Sequence, residues 1–132
     1  MKARMPLSVR IFIKFALSLV ALSCHFPLVA HAQDWPTKPL RLVIPFPPGG
    51  GSDVVGRIIA KQLSEVLQQQ VVVDNRSGAG GSIGTEFVVK SSPDGYTLLL
   101  GSTSEIAVNP NLYRLNYNTV NDLTPVGVVA TS

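Results

Sequence analysis

Three short stretches of the sequence gather residues able to bind an anion without a metal or an imidazole. The first is Phe46-Pro47-Pro48-Gly49-Gly50-Gly51-Ser52-Asp53. Bare glycines let a ligand approach the backbone, and N–H groups at a helix start carry unsatisfied hydrogen-bonding capacity and positive potential. The second is Arg76-Ser77-Gly78-Ala79-Gly80-Gly81-Ser82-Ile83-Gly84, a glycine loop that opens another helix start. The third, Gly101-Ser102-Thr103-Ser104, offers small hydroxyls that can donate to a carboxylate. Each also has an architectural reading: a tight turn, a helix entry, and a capping segment for a helical stretch near Glu105.

Other chemistries fit these residues less well. The first stretch lacks the Gly-Lys-Ser/Thr of a phosphate loop, and Val54 stands where a dinucleotide fingerprint needs glycine. Gly78, Gly80 and Gly84 approach a GxGxxxG nucleotide spacing, but Gly78 follows the preceding strand by several residues. Gly80, Ser82 and Gly84 reproduce Gly-x-Ser-x-Gly, so an exported serine hydrolase using Ser82 is the alternative. That elbow needs its serine on a sharp turn directly after a strand and a histidine later in the chain. His25, His31 and the sole cysteine, Cys24, all fall within the first 32 residues. Residues 33–132 thus supply no Cys or His metal ligand and no imidazole base, and no catalytic residue, metal or cofactor is expected.

The first 32 residues differ in kind from the rest. Lys2, Arg4, Arg10 and Lys14 precede an apolar run from Phe15 to Leu22, and Ala30-His31-Ala32 places small residues at the −3 and −1 positions. This predicts a secretory signal peptide cleaved before Gln33. A membrane span would need about 20 apolar residues, and His25 and Pro27 interrupt this run. Lipid anchoring at Cys24 is the competing reading. The segment takes four of the 11 basic residues and none of the eight acidic ones, leaving seven against eight, a net charge of −1. The remaining cations are scattered singly, which argues against a nucleic-acid or polybasic membrane partner. A chain 45% hydrophobic and 14% charged is globular in composition, and a soluble monomer is expected after cleavage.

The elements that must position the three stretches follow from periodicity. Leu40 to Pro45, Val71-Val72-Val73 and Tyr96 to Leu100 read as strands. From Ser52, Val54, Val55, Ile58, Ile59, Leu63, Val66 and Leu67 share a stripe opposite Arg57, Lys61, Gln62, Glu65 and Gln68. That pattern predicts an amphipathic helix with Ser52 as N-cap and Asp53 in its positive first turn. A second helix over 82–91 carries Ile83, Phe87 and Val88 inward, Pro93-Asp94-Gly95 is a turn, and Val126 to Ala130 is a last strand-like run. Strands alternating with helices imply an α/β fold, a parallel sheet covered by helices on both faces. All three stretches follow strands and should emerge at the one edge where open α/β sheets bind ligands.

Trp35-Pro36, Pro45 to Asp53, Val73-Asp74-Asn75-Arg76, Gly78 to Gly84, Pro93-Asp94-Gly95-Tyr96-Thr97-Leu98 and Asn109-Pro110, in this order, resemble the Bug/TctC family, the substrate-binding proteins of tripartite tricarboxylate transporters. The resemblance covers essentially all of Trp35 to Ala130. It implies a periplasmic, two-domain Venus-flytrap fold, similar to other periplasmic binding proteins, that closes on a small carboxylate and hands it to a membrane permease without enzymatic activity. Carried over by position, the ligand-binding residues are Phe46, Pro47, Gly49, Gly50, Gly51, Ser52 and Asp53 in the first loop and Gly78, Ala79, Gly80, Gly81, Ser82 and Ile83 in the second, with Ser102, Thr103 and Ser104 as a third group. Asn116 to Leu123 departs from the family pattern, which writes proline and aspartate near the tyrosine, while Thr124-Pro125-Val126 agrees. Family members are far longer, so residues 33–132 are expected to be an incomplete N-terminal domain with the second domain absent; a remnant without function would read the same way.

Overall fold

The computed structural model describes residues 35–130, so the predicted signal peptide over 1–32 and Cys24 lie outside the described residues. Strand β1 (Leu40–Ile44) is followed by helix α1 (Gly51–Leu67), strand β2 (Val71–Asn75), a 3-10 turn (Ala79–Gly81), helix α2 (Ser82–Val89) and strand β3 (Thr97–Leu99). A π-helical turn (Ser104–Val108) then runs into the short helix α3 (Asn109–Leu112). The strands form one parallel sheet in the order β2-β1-β3, with Leu42 opposite both Val73 and Leu98. The expected α/β class and parallel sheet are present.

β1 is central, and all of its residues but Arg41 are buried. Leu40, Leu42 and Ile44 lie under α1, where Ile59, Ala60, Leu63 and Leu67 complete the core with Val71. Val43 is fully buried on the other face, where the Arg41 guanidinium lies 5.6 Å from the Phe87 ring of α2.

The inward face of α1 differs from the stripe that hydrophobicity predicts. Ile59, Leu63 and Leu67 do turn inward, but Val54, Val55, Ile58 and Val66 are exposed, Val66 to 78%. The buried arc runs instead through Asp53, Gly56 and Ala60. A Cβ on Gly56 would come within 2.4 Å of Ile44 Cδ1, so the helix seats on the sheet through its smallest residues. On α2, Ser82, Gly84 and Thr85 are buried, whereas Ile83 is 52% exposed, contrary to its expected inward placement. A Cβ on Gly84 would meet Arg76 O at 2.8 Å and Pro45 Cα at 2.9 Å, and this close approach fixes the helix start against the end of β1.

The turn at 93–95 forms as its residues dictate: Gly95 has φ +79° and Asp94 accepts the Tyr96 N–H at 3.0 Å. The apolar run from Val126 to Ala130 pairs with no strand among the described residues, and Val126 and Val128 are exposed.

Candidate functional site

Parallel pairing brings the three loops to one edge. Ile44 ends β1 opposite Asn75, Val43 lies opposite Leu99, and Leu100 N donates to Val43 O at 2.9 Å. Loop 1 (46–50), loop 2 (76–81) and loop 3 (100–103) therefore leave side by side at the carboxyl ends of the strands, where open α/β sheets hold ligands.

In loop 1 the chain enters α1 at Gly51 with Gly50 as N-cap (φ −82°, ψ 172°), and no side chain caps it. Ser52 is thus inside the helix, contrary to the N-cap role that the sequence suggested. Asp53 instead ties the preceding loop to the helix, its carboxylate reaching back to accept the Gly49 N–H at 2.9 Å. Asp53 is 4% exposed and also accepts Arg57 Nε at 2.9 Å and Asn75 Nδ2 at 3.1 Å. The Arg57 hydrogen bond and then the Gly49 N–H hold its carboxyl at about 2, below the usual 3.8. Asn75 also donates to Phe46 O at 3.1 Å, so the end of β2 grips both sides of loop 1. With Asp53 committed inward, the N–H groups of Gly51 and Ser52 at the helix start take no acceptor among the described residues.

Loop 2 is a run of positive φ angles: Gly78 +132°, Ala79 +45°, Gly80 +61° and Gly81 +93°. For Ala79 this conformation costs about 1–2 kcal/mol, a strain that surrounding contacts must hold. Gly81 N–H closes the turn on Gly78 O at 3.0 Å. Behind it Asn109 Nδ2 donates to Gly80 O at 2.9 Å and to Ser82 Oγ at 3.0 Å. Ser82, the residue of the hydrolase alternative, therefore has an amide donor against its hydroxyl where a nucleophile needs a base, and the chemistry favours the binding reading.

Loop 3 turns on Glu105, which is fully buried. Its carboxylate accepts the Ser102 N–H, the Ser102 hydroxyl at 2.6 Å and the Ser104 hydroxyl at 3.2 Å. Two of the hydroxyls expected to face a solute thus donate to the protein itself, while Thr103 is exposed. Glu105 and Asn109 were not among the candidate residues read from the sequence. Asn109-Pro110 was visible as a motif, yet its partner Gly80 lies 29 positions away, and no local pattern signals that pairing.

A shallow hollow of about 280 Å³, lined by Pro110, Tyr113, Leu115, Tyr117 and neighbouring residues, contains none of the loop residues.

Known proteins share this fold and much of this sequence. The sequence profile of the tripartite tricarboxylate transporter family receptor matches residues 55–132. The protein BugT of Bordetella pertussis is 48% identical over 100 residues, 74% of this chain and 31% of that protein. A structure described as a periplasmic transporter superposes with TM-score 0.62 at 40% identity, over 65% of this chain and 29% of that one. MatC from Rhodopseudomonas palustris, solved with bound malate, superposes with TM-score 0.67 at 33% identity, over 70% and 32%. The chain spans about 30% of the length of the relatives it matches. On the profile match, the ordered motifs and the shared fold, the chain belongs to the tripartite tricarboxylate transporter receptor family.

Proposed function

We propose that this chain is an exported solute-binding protein that captures a small carboxylate for a membrane permease. The observation that carries the reading is the unpaired N–H pair of Gly51 and Ser52 at the start of a 17-residue helix, beside a second glycine loop on the same sheet edge. A carboxylate placed there gains hydrogen bonds to both N–H groups and the favourable end of the helix dipole. In this reading residues 46–53 and 78–83 hold one carboxylate, loop 3 supplies Thr103 and backbone, and the rest of the solute faces outward. Binding requires no chemical step, so the protein acts as a receptor. The malate in MatC, a relative of the same fold, supports dicarboxylates as the first class to try. Residues 1–32 would direct export to the periplasm, with the cleaved chain soluble.

The test is thermal unfolding of the chain from Gln33 onward against mono-, di- and tricarboxylates. A ligand at 100 times its Kd adds about 2.7 kcal/mol, enough to raise the midpoint by several degrees. The expected result is a rise with one or a few carboxylates that vanishes in Gly50→Val. A Cβ at Gly50 would find only Pro47 O, at 3.7 Å, so valine fits the fold while covering the N–H groups. An unshifted midpoint with every acid, in a chain that unfolds cooperatively, would refute the proposal.

A further inference from the structure

Asn109 belongs to neither glycine loop, yet the residue is 5% exposed and its side-chain amide reaches Gly80 of loop 2. Gly80 O can only accept a hydrogen bond, so the atom 2.9 Å from it must be the Asn109 amide nitrogen. The same nitrogen lies 3.0 Å from Ser82 Oγ. Both amide hydrogens are then spent, one on the Gly80 carbonyl and one on the Ser82 oxygen. Ser82 Oγ is an acceptor in that contact, and its own hydrogen has no acceptor among the described residues. Loop 3 shows the opposite arrangement, since Glu105 consumes the hydroxyl hydrogens of Ser102 and Ser104.

We infer that Asn109 is a positioning residue for anion capture: it holds the Gly80 carbonyl from behind and, by donating to Ser82 Oγ, leaves the Ser82 hydroxyl set as a donor to the solute. The inference rests on the carboxylate reading above and adds to it a residue outside the loops that sets hydrogen-bond polarity at loop 2. Glu105, one turn earlier, backs the same loop, because a Cβ on Gly81 would lie 3.2 Å from Glu105 Cβ. The π-helical turn that carries Glu105 thereby ties loop 3 to loop 2.

A double-mutant cycle separates this role from simple support of the fold. Malate, or whichever carboxylate the thermal panel selects, is titrated calorimetrically into the full chain and into Asn109→Ala, Ser82→Ala and the double variant. Amide hydrogen exchange at Gly81 is followed in the absence of ligand, with Gly49 as the reference in loop 1. Asn109→Ala is expected to weaken binding roughly tenfold, the size of one buried hydrogen-bond partner lost, and to speed exchange at Gly81 but not at Gly49. In the Ser82→Ala background the same change should cost clearly less, because the hydroxyl it orients is gone. Fully additive losses would overturn the inference, as would unchanged exchange at Gly81. Loss of cooperative unfolding in Asn109→Ala moves the test to Asn109→Asp, whose acceptor oxygens would draw the Ser82 hydrogen inward; unchanged affinity there would overturn it equally. If the unmodified chain binds no carboxylate, the functional proposal fails, and the exchange measurement alone still judges whether Asn109 holds loop 2.

Discussion

Asp53 is the residue in which the site and the stability of the fold meet. A carboxylate beside a site for anions would repel them if it faced outward. Here it turns inward onto Gly49, Arg57 and Asn75, so its charge is spent on protein donors. Its place in the first turn was legible, because acids favour the positive end of a helix. Its partners were not, since Asn75 reaches it only through the pairing of β2 with β1. The low carboxyl pKa has a defined sign: stability from the charged form is complete above the unfolded value of 3.8 and is lost as pH falls through about 2. Asp53→Asn should therefore lower the melting midpoint most above pH 4, with the gap to the unmodified chain closing toward pH 2. Midpoints recorded across that range check it, and a gap independent of pH would contradict it.

Among the elements, small residues decide where helices sit. The periodicity of α1 announces a helix correctly but assigns Val54, Ile58 and Val66 to the buried side, because size-weighted hydrophobicity does not register that Gly56 and Ala60 permit the closest approach to β1. Gly84 plays the same part on α2, and the sequence presented it instead as the end of a nucleotide-binding spacing and of a hydrolase pattern. An added methyl there meets backbone on two sides, which a side-chain rotation cannot relieve. Gly84→Ala should cost about 1–3 kcal/mol, lowering the melting midpoint by roughly 4–8 °C per kcal/mol. A midpoint equal to that of the unmodified chain would show that α2 is free to move away from Pro45. The strand-like reading of Val126 to Ala130 failed as well: the run pairs with no strand among the described residues, although β2 and β3 each keep an open edge there.

For the molecule as a whole, alternation of strands and helices was enough to give a parallel sheet, and a parallel sheet is enough to put all three loops on one edge. What the chain pattern does not encode is how the loops are joined: Asn75 at the end of β2 holds loop 1, Asn109 holds loop 2 from α3, and Glu105 bonds Ser102 of loop 3 while lying against Gly81 of loop 2. These cross-links leave the edge prearranged, with the Asp53 and Glu105 carboxylates bonded to protein donors and the Gly51 and Ser52 N–H groups without an acceptor among the described residues. The loop edge and the hollow at Pro110, Tyr113 and Tyr117 share no lining residue. The direct measurement is a titration of the isotope-labelled chain with malate and other carboxylates, following every backbone amide resonance. The account predicts saturable shifts concentrated at Gly51 and Ser52 and at 78–83, with the amides lining the hollow unmoved. Saturable shifts confined to the hollow, or to the opposite edge of the sheet, would contradict it.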